Sequence, residues 1–444
     1  MSFTTDYRVE DFVLQTRWDD FPLNVQEQAR LCTIDLVGAL LLGVRAPVYS
    51  VGRSMVEATF QKGNIAVLGD GFKSSALGAA IAMGHASNAY DLDDGHNITR
   101  THPGSSFVSA LMAASYDVDC SLQEFMQALV ICYEITQRMG AALMEYYQFP
   151  HSSGTFGAVG SALAWGQLYG LNKNQINMLL SVSEFNAPLV PGIRSVEFPS
   201  MNKDGVAFGT MIGLLAFQEV KAGFTGNKNM LERNEFSWLT EDLGQNYQIM
   251  DLYFKGYPCC RWVHPAFEAC KELAKTYNFD PQQIEEVEIE SFERATLLSK
   301  IIPSDPDEAQ YNIAYPVSAM LVRGKFGMEE LQDEAFSDPL IIEMMKKLKF
   351  IVDPDMEAKF PQERLCRVTL KLSDGRKFKS SICKAMGEAG EVDRDWIKEK
   401  FESLLGPIYG IEATKEILLI LEGRLDQDMR EIINKINELV MGGM

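Results

Sequence analysis

Three of the five histidines in this 444-residue chain lie close together, around a run of carboxylates. His85, His96 and His102 fall within eighteen residues and surround Asp91-Leu92-Asp93-Asp94. So many titratable groups are costly inside an apolar helical region unless they pair or serve a site. A His or Asp with a tuned pKa can act as base or acid, so the segment predicts a site of proton transfer. A solvated helix end with a carboxylate cap is the alternative interpretation.

Several donors and cations share a second property, because each precedes a predicted helix start. They are His102, His151, Lys203, Lys255 and Tyr315. Helix N-termini present free N–H groups and a partial positive charge, so they bind carboxylates and phosphates. A single lysine in such a place is usually only solvated, but the repetition suits a ligand with two or three carboxylates.

These residue types fit the removal of a proton alpha to a carboxylate. Such a C–H is a poor acid, and its removal requires stabilisation of the aci-carboxylate in the transition state. Lysine, imidazolium and helix N-termini can supply that stabilisation without a metal. Loss of water, loss of CO₂ or simple reprotonation can follow.

The elements that must position these residues are mostly helices. Apolar residues recur at helical spacing over residues 25–42, 76–92, 106–116, 122–143, 155–168, 173–184 and 205–222. Asn24, with Glu27 three residues on, predicts a capped start for the first of them. Gly, Ala and Ser on many apolar faces are typical of closely packed helices. Helices return at 393–405, 413–421 and 427–441.

The pattern changes after residue 279. Residues 287–292 and 365–372 alternate as half-exposed strands, and Asp374-Gly375 predicts a hairpin with 377–383 as the return strand. Helices are predicted at 316–322 and 339–348. The expected fold is therefore mainly α: a large all-helical domain built from both termini (1–270 and 395–444), with a smaller α+β lid domain inserted (271–394).

Composition narrows the classes of function. A net charge of −20 argues against nucleic-acid binding, which needs clustered Lys and Arg. No apolar run reaches membrane-spanning length, and the polar first twenty residues do not read as a signal peptide. The eight cysteines are scattered without a C-x-x-C pair, which argues against a structural zinc site and favours reduced thiols in a cytoplasmic protein.

Five segments together resemble the signatures of the MmgE/PrpD family, in the family's order. Residues 85–94 with Thr101-His102-Pro103-Gly104 resemble its Asp-x-Asp-Asp plus His-Pro signature, and the others are residues 151–158, 200–203, 255–260 and 309–315. The match spans nearly the whole chain. The family includes 2-methylcitrate dehydratases, cis-aconitate decarboxylases and iminodisuccinate epimerases.

The resemblance implies a homodimer without cofactor or metal and a cleft between the helical domain and the lid. By position it implies six active-site residues: Asp91, His102, His151, Lys203, Lys255 and Tyr315. From their residue types we assign proton transfer to Asp91 and His102, carboxylate binding to Lys203 and Lys255, and substrate polarisation to His151. Tyr315, from the lid, would be an acid or a clamp. Cys260, Arg261 and His264 would also contact the substrate.

Two positions depart from the family pattern. Gly95 stands where several members have Thr, so a contact to a substrate hydroxyl is lost. Cys260 stands where the decarboxylases have His, which argues against decarboxylation; a small buried hydrophobe is the alternative reading of this cysteine. We therefore expect a cofactor-free, dehydratase-like lyase acting on a small polycarboxylate. The alternatives are an isomerase or epimerase of an amino- or imino-dicarboxylate, a cis-aconitate-type decarboxylase and a non-catalytic binding protein.

Two metal-dependent classes also compete. An Asp-rich helix suits isoprenoid synthases, but those need a second carboxylate cluster that this sequence lacks. A metal-dependent phosphohydrolase would need more histidines at helical spacing. Both predict a tightly bound metal, so metal analysis of the purified protein separates them from the main expectation.

Overall fold

The computed structural model of the protein describes residues 8–442, and most of them are helical. The longer helices are Arg8–Gln15, Leu23–Gly43, Pro47–Thr59, Ala76–Ser87, Pro103–Asp117, Leu122–Tyr147, Ser153–Leu168, Lys173–Phe185, Val206–Lys221, His264–Thr276, Ala314–Arg323, Arg394–Tyr409, Ile411–Leu421 and Met429–Gly442. The mainly α class is confirmed. Part of the predicted polar N-terminal segment, residues 1–7, lies outside the described residues.

Small residues let the central helices approach closely. Helices Ser153–Leu168 and Val206–Lys221 meet at Gly154 and Gly209, where a Cβ added to Gly209 would lie less than 3.0 Å from the Gly154 carbonyl oxygen. Cores are close-packed, so there is no room for even one methyl group at this crossing. The Gly/Ala/Ser pattern in the sequence predicted this kind of packing.

A five-stranded sheet follows the helical region. Its strands are Ile284–Ser291, Leu348–Val352, Leu365–Leu372, Lys377–Lys379 and Cys383–Lys384. Ile284–Ser291 pairs in parallel with Leu348–Val352 and antiparallel with Leu365–Leu372, which also pairs with the two short strands. The predicted hairpin is confirmed, and its Gly375 adopts φ 88, a left-handed conformation that glycine accepts readily.

Several predicted details were wrong. The first long helix begins at Leu23 after Pro22, and the Pro22 carbonyl accepts from the N–H groups of Val25 and Gln26, so Asn24 is not its cap. The helix predicted over residues 339–348 ends earlier, at Met345, and strand Leu348–Val352 begins soon after it.

The helix predicted over residues 76–92 ends earlier, at Ser87. The carboxylate-rich stretch after it is therefore a loop. Within that loop Gly95–His96 forms a two-residue strand that pairs with Leu252–Tyr253. The pairing brings two segments that are far apart in sequence to the same place.

Both ends of the chain contribute to the same helical layer. A Cβ added to Gly38 in helix Leu23–Gly43 would lie 3.1 Å from the ring of Phe401, in helix Arg394–Tyr409. The division into a helical domain and a lid stays a prediction, and its boundary at residue 270 falls inside helix His264–Thr276.

Between residues 8 and 442, no single helix is long and apolar enough to cross a membrane. Helices Leu23–Gly43 and Pro47–Thr59 pass that test only as a pair, which is bent by 80°.

Candidate active site

A cavity of about 850 Å³, including its open mouth, lies where four parts of the chain meet. Its lining comes from the stretches 91–102, 150–204, 253–262 and 294–364. The first three belong to the helical region and its loops, and the fourth belongs to the region that carries the sheet.

A cluster of ionisable side chains forms one part of this cavity. Lys255 Nζ donates to Asp91 Oδ1 at 2.6 Å and lies 2.8 Å from His102 Nδ1. His102 Nδ1 is also 3.2 Å from Asp93 Oδ2, and its Nε2 is 3.4 Å from Asp204 Oδ2. We call these five residues the His102 cluster. The sequence predicted that Asp91, His102 and Lys255 would share a site, and the fold brings them together.

His102 has a partner in each protonation state. Burial by itself lowers its pKa, as does the Lys255 ammonium, but Asp93 and Asp91 raise the pKa to about 9. Neutral imidazole can accept from Lys255 at Nδ1, whereas imidazolium must direct its Nδ1–H to Asp93 instead. A group that takes and returns a proton needs such alternative partners.

Two neighbours of His102 have raised pKa values, which keeps one of them charged and favours the neutral form of the other. Burial would lower the pKa of Lys255, but Asp91 and Asp93 raise it, so Lys255 remains an ammonium. Burial raises the pKa of Asp204, and Asp91 adds to that effect, although His102 opposes it. The Asp204 carboxyl therefore holds a proton more readily than that of Asp93, whose pKa burial would raise but His102 and Lys255 lower. Groups with pKa values displaced in this way are common at catalytic sites.

Backbone strain also concentrates here. Asp91, Arg100 and Lys203 have φ values of 53°, 56° and 47°, in the left-handed region that L-residues rarely adopt. Asp91 and Arg100 line the cavity, and Lys203 directly precedes Asp204, which also lines it. Each such residue costs on the order of 1–2 kcal/mol, a strain that persists where the surroundings impose the conformation.

The loop that carries the cluster is tied to the helix after it. Gly104 N–H donates to Asp94 Oδ1 at 2.9 Å, and Tyr133 donates to the other Asp94 oxygen. Burial raises the pKa of Asp94 to about 7 against these hydrogen bonds. Asp94 therefore accepts a hydrogen bond from one of the N–H groups that are free at the start of helix Pro103–Asp117. The sequence predicts that these N–H groups face a ligand.

Cations and an aromatic ring form another part of the cavity. Arg261 lies over the ring of Tyr253 at 4.2 Å, and Arg364 lies 5.5 Å from the same ring. A Cβ added to Gly95 would lie less than 3.0 Å from this tyrosine. Glycine is thus needed at position 95 to make room for Tyr253, a reason that the sequence did not reveal.

Five buried polar atoms on cavity-lining residues have no hydrogen-bond partner in the described part of the chain. They are Nδ1 and Nε2 of His151, the Tyr311 hydroxyl, and Nε of Arg261 and of Arg364. Buried polar groups are nearly always satisfied, so unsatisfied ones around a single cavity indicate a polar ligand. Burial lowers the pKa of His151, which favours the neutral ring.

Three of the predicted site residues do not reach the cavity. The Tyr315 hydroxyl donates to the Glu330 carbonyl, and His264 Nε2 lies 3.0 Å from the Cys259 carbonyl, so both are used inside the core. Lys203 Nζ donates to Gln310 and lies 3.1 Å from Asp307. Lys203 thereby holds the segment that carries Tyr311 in place. The prediction that Lys203 binds a substrate carboxylate loses support.

Cys260 and Arg261 do line the cavity, as predicted. Burial raises the pKa of the Cys260 thiol to about 12, so it is a neutral group against the ligand. Arg261 is largely committed to protein partners, because its Nη1 donates to the Phe254 and Met386 carbonyls and its Nη2 to Glu388.

Other lining residues were missed by the sequence reasoning. They are Arg100, Asp204, Tyr253, Arg294, Tyr311 and Arg364. Four of these six, Arg100, Asp204, Tyr253 and Tyr311, lie within four residues of a predicted one, so closeness in sequence was a usable signal. Among the histidines of the first segment, only His102 lines the cavity; His85 lies in a separate groove and His96 is buried.

One group of described side chains could hold a metal ion. Ligand atoms of Asp91, Asp93 and His102 lie within 4.8 Å of one another. Because Lys255 Nζ already lies 2.6 Å from Asp91, a divalent cation would have to displace this ammonium. A site without metal stays a prediction.

Comparisons with known proteins agree with the resemblance of the five segments. A family model described as the MmgE/PrpD N-terminal domain matches residues 8–241, and one described as the MmgE/PrpD C-terminal domain matches residues 257–427. The cis-aconitate decarboxylase of Aspergillus terreus is 24% identical, over 90% of this chain and 89% of that protein.

Two further relatives show the same range of similarity. The cis-aconitate decarboxylase-like protein oryM of Aspergillus oryzae is 22% identical over 92% of both chains. The cis-aconitate decarboxylase of Mus musculus is 21% identical, over 81% of this chain and 78% of that protein.

Proposed function

This chain belongs to the MmgE/PrpD family, and we propose that it is a cofactor-free, dehydratase-like lyase that acts on a small polycarboxylate. The observation that carries the proposal is the His102 cluster on a cavity that also presents several arginines. It combines a group suited to proton transfer with cations suited to carboxylates.

In the proposed first step, neutral His102, in the tautomer that keeps its proton on Nδ1 toward Asp93, takes the proton alpha to a substrate carboxylate at Nε2. The electron pair moves into that carboxylate as its aci form, which the Lys255 ammonium stabilises. Asp91 holds Lys255 at 2.6 Å, so the cation is oriented before the reaction begins. Preorganised charge of this kind is usually the largest contribution to catalysis.

In the proposed second step, the bond from the beta carbon to a hydroxyl breaks. Protonated Asp204 gives its proton to the departing oxygen, so the products are water and an alkene. The proton on His102 then returns to Asp204 across the 3.4 Å between Nε2 and Oδ2, which restores both groups. This assignment uses the raised pKa of the Asp204 carboxyl.

A decarboxylase is the second candidate, because two cis-aconitate decarboxylases and a cis-aconitate decarboxylase-like protein match over most of the chain. There His102 would give a proton to carbon as CO₂ leaves, and apolar side chains such as Ile193 and Trp262 would surround the departing group. An epimerase would only return the proton to the other face of the carbon. All three reactions need proton transfer at His102.

Proton NMR in D₂O tests the proposal. The purified protein is incubated with 2-methylcitrate, citrate, cis-aconitate and an iminodisuccinate-type amino acid. We expect exchange of deuterium alpha to a carboxylate, together with new alkene resonances for dehydration. Release of ¹³CO₂ from labelled substrate instead would identify a decarboxylase, and exchange without a new compound an epimerase.

His102→Gln should abolish the exchange, whereas His85→Gln, outside the cavity, is the matched control. Exchange that survives in His102→Gln would exclude His102 as the proton-transfer group. If wild-type protein binds the compounds but exchanges none, the non-catalytic alternative is favoured.

We also propose a homodimer in the cytoplasm. All eight cysteines are free thiols, which fits a reducing compartment. Large apolar side chains such as Phe185, Phe198 and Phe208 are exposed, which fits a surface covered by a second copy. Light scattering of the purified protein would give the mass of a dimer, and a monomer mass would contradict the proposal.

A further inference from the structure

Three arginines on the cavity form a group separate from the His102 cluster. Arg100, Arg294 and Arg364 all line the cavity. None of them makes an ion pair of 4.0 Å or less with a carboxylate in residues 8–442, and we call them the arginine subsite. Burial lowers the pKa of Arg100, and the charges of Arg294 and Arg364 add to that effect. Like charges brought together without a carboxylate in direct contact favour an anionic ligand.

Arg364 presents a specific edge to such a ligand. Its Nη1 donates to Asn97 Oδ1 at 2.7 Å, and Asn97 Nδ2 in turn donates to Glu388 at 3.2 Å, which fixes the amide. The Nε/Nη2 edge of the guanidinium has no hydrogen-bond partner among the described residues. Arg364 is only 5% exposed, and its Nε is fully buried without a partner.

This geometry matches a carboxylate. The Nε–H and Nη2–H groups of arginine form a planar fork that binds the two oxygens of one carboxylate in parallel. Asn97 leaves that fork free while it holds the opposite side of the guanidinium. An unsatisfied buried donor destabilises the empty site, so a ligand that supplies the acceptor recovers that free energy.

We propose that the arginine subsite, with Arg364 as its fork, binds a substrate carboxylate that takes no part in the proton transfer. The proposal rests on the proposed function, because it assumes that the His102 cluster is the reacting end of the same cavity. It adds that the substrate carries at least one further carboxylate, and that Arg364 selects for it.

Calorimetric binding of an unreactive probe, propane-1,2,3-tricarboxylate, tests the subsite without turnover. We expect at least about tenfold weaker binding in Arg364→Met, because one charge-assisted fork is lost. Arg364→Lys should lose most of that affinity too, because lysine keeps the charge but not the fork. Arg376→Met, in the exposed hairpin turn, is the matched control and should bind like wild type. A loss of less than twofold in a folded Arg364→Met variant would overturn the proposal.

Two further variants keep the test decisive. Arg294→Met changes an exposed residue, so it should fold even if Arg364→Met does not, and we expect a loss of about threefold or more. The Arg364→Met loss should also persist in a His102→Gln background, because separate sites give additive effects. Two results would contradict a separate subsite. One is Arg294→Met binding the probe as tightly as wild type, and the other is an Arg364→Met loss that disappears in the His102→Gln background.

Inorganic phosphate distinguishes a carboxylate fork from a general anion site. Phosphate that displaces the probe at comparable concentration would overturn the assignment to carboxylate. Failure of the subsite and of the proposed function are separable. If deuterium exchange occurs but the Arg364 variants bind the probe like wild type, only the subsite is refuted. If binding depends on Arg364 but no deuterium exchange occurs, only the lyase is refuted.

Discussion

The raised pKa of His102 predicts an unusual dependence of activity on pH. If His102 must be neutral to take the proton, and its pKa is about 9, only about 1% of the enzyme is competent at pH 7. For deuterium exchange, which needs only the first step, kcat/KM should therefore rise about tenfold per pH unit up to pH 9 and then level off. This parameter reports the free enzyme, so substrate charge does not move the limb.

Asp93→Asn tests the physical cause. Asp93 is fully buried with Oδ2 3.2 Å from His102 Nδ1, and an opposite charge at this range shifts a pKa by about 1–3 units. Replacing it with the neutral isostere should lower the His102 pKa and move the limb to lower pH by at least about one unit, equivalent to about 1.4 kcal/mol. The exposed Asp426→Asn is the matched control and should leave the limb in place.

The assay is the initial rate of deuterium exchange between pH 5.5 and 10, on whichever compound the exchange experiment identifies. Circular dichroism at each pH confirms that the variants stay folded. An acid limb at the same pH in wild type and Asp93→Asn would show that Asp93 does not set the pKa of the base. A wild-type limb near pH 6.5 would refute the raised pKa itself.

Further predictions concern packing, the wall of the cavity and the second proton. Gly209→Ala should lower the free energy of unfolding by about 1–3 kcal/mol, because the added methyl group meets the Gly154 carbonyl. Thermal melts measure this loss. Gly406→Ala is the control and should be neutral or stabilising, because the nearest atom to its added methyl group is 3.9 Å away. Gly95→Ala should displace Tyr253 and raise KM more than it lowers kcat, and an unchanged KM would contradict the crowding. Asp204→Asn should lower kcat by about 10²–10⁴ for dehydration but spare deuterium exchange, and equal loss of both would remove Asp204 from the second step.

The helical elements and the hairpin could be predicted because their causes are local. Apolar spacing, Gly/Ala/Ser faces and the Asp-Gly turn each act within a few residues of sequence. Boundaries were less accurate where a distant partner intervened. The helix expected to run to residue 92 stops at Ser87, and the following loop pairs through Gly95 with Tyr253, a partner more than 150 residues away.

The site shows the same distinction. Residue types alone indicated proton transfer near His102 and carboxylate binding near Lys255, because few side chains can do that chemistry. Which neighbour faces the cavity is a matter of backbone direction. Lys203, at φ 47°, is directed to Asp307 and Gln310, and the cavity receives Asp204 instead.

The sequence by itself determined the family and the mainly α class, and it predicted the segment for acid–base chemistry. Only the tertiary structure decided that Tyr311 rather than Tyr315 lines the cavity, because Tyr315 lies inside a helix whose packing aims its hydroxyl at Glu330. Only the structure assembled Arg364 with Arg100, since residues more than 260 positions apart share a wall through the folding of the whole chain. Local sequence fixes which groups are available, and long-range packing fixes which of them meet.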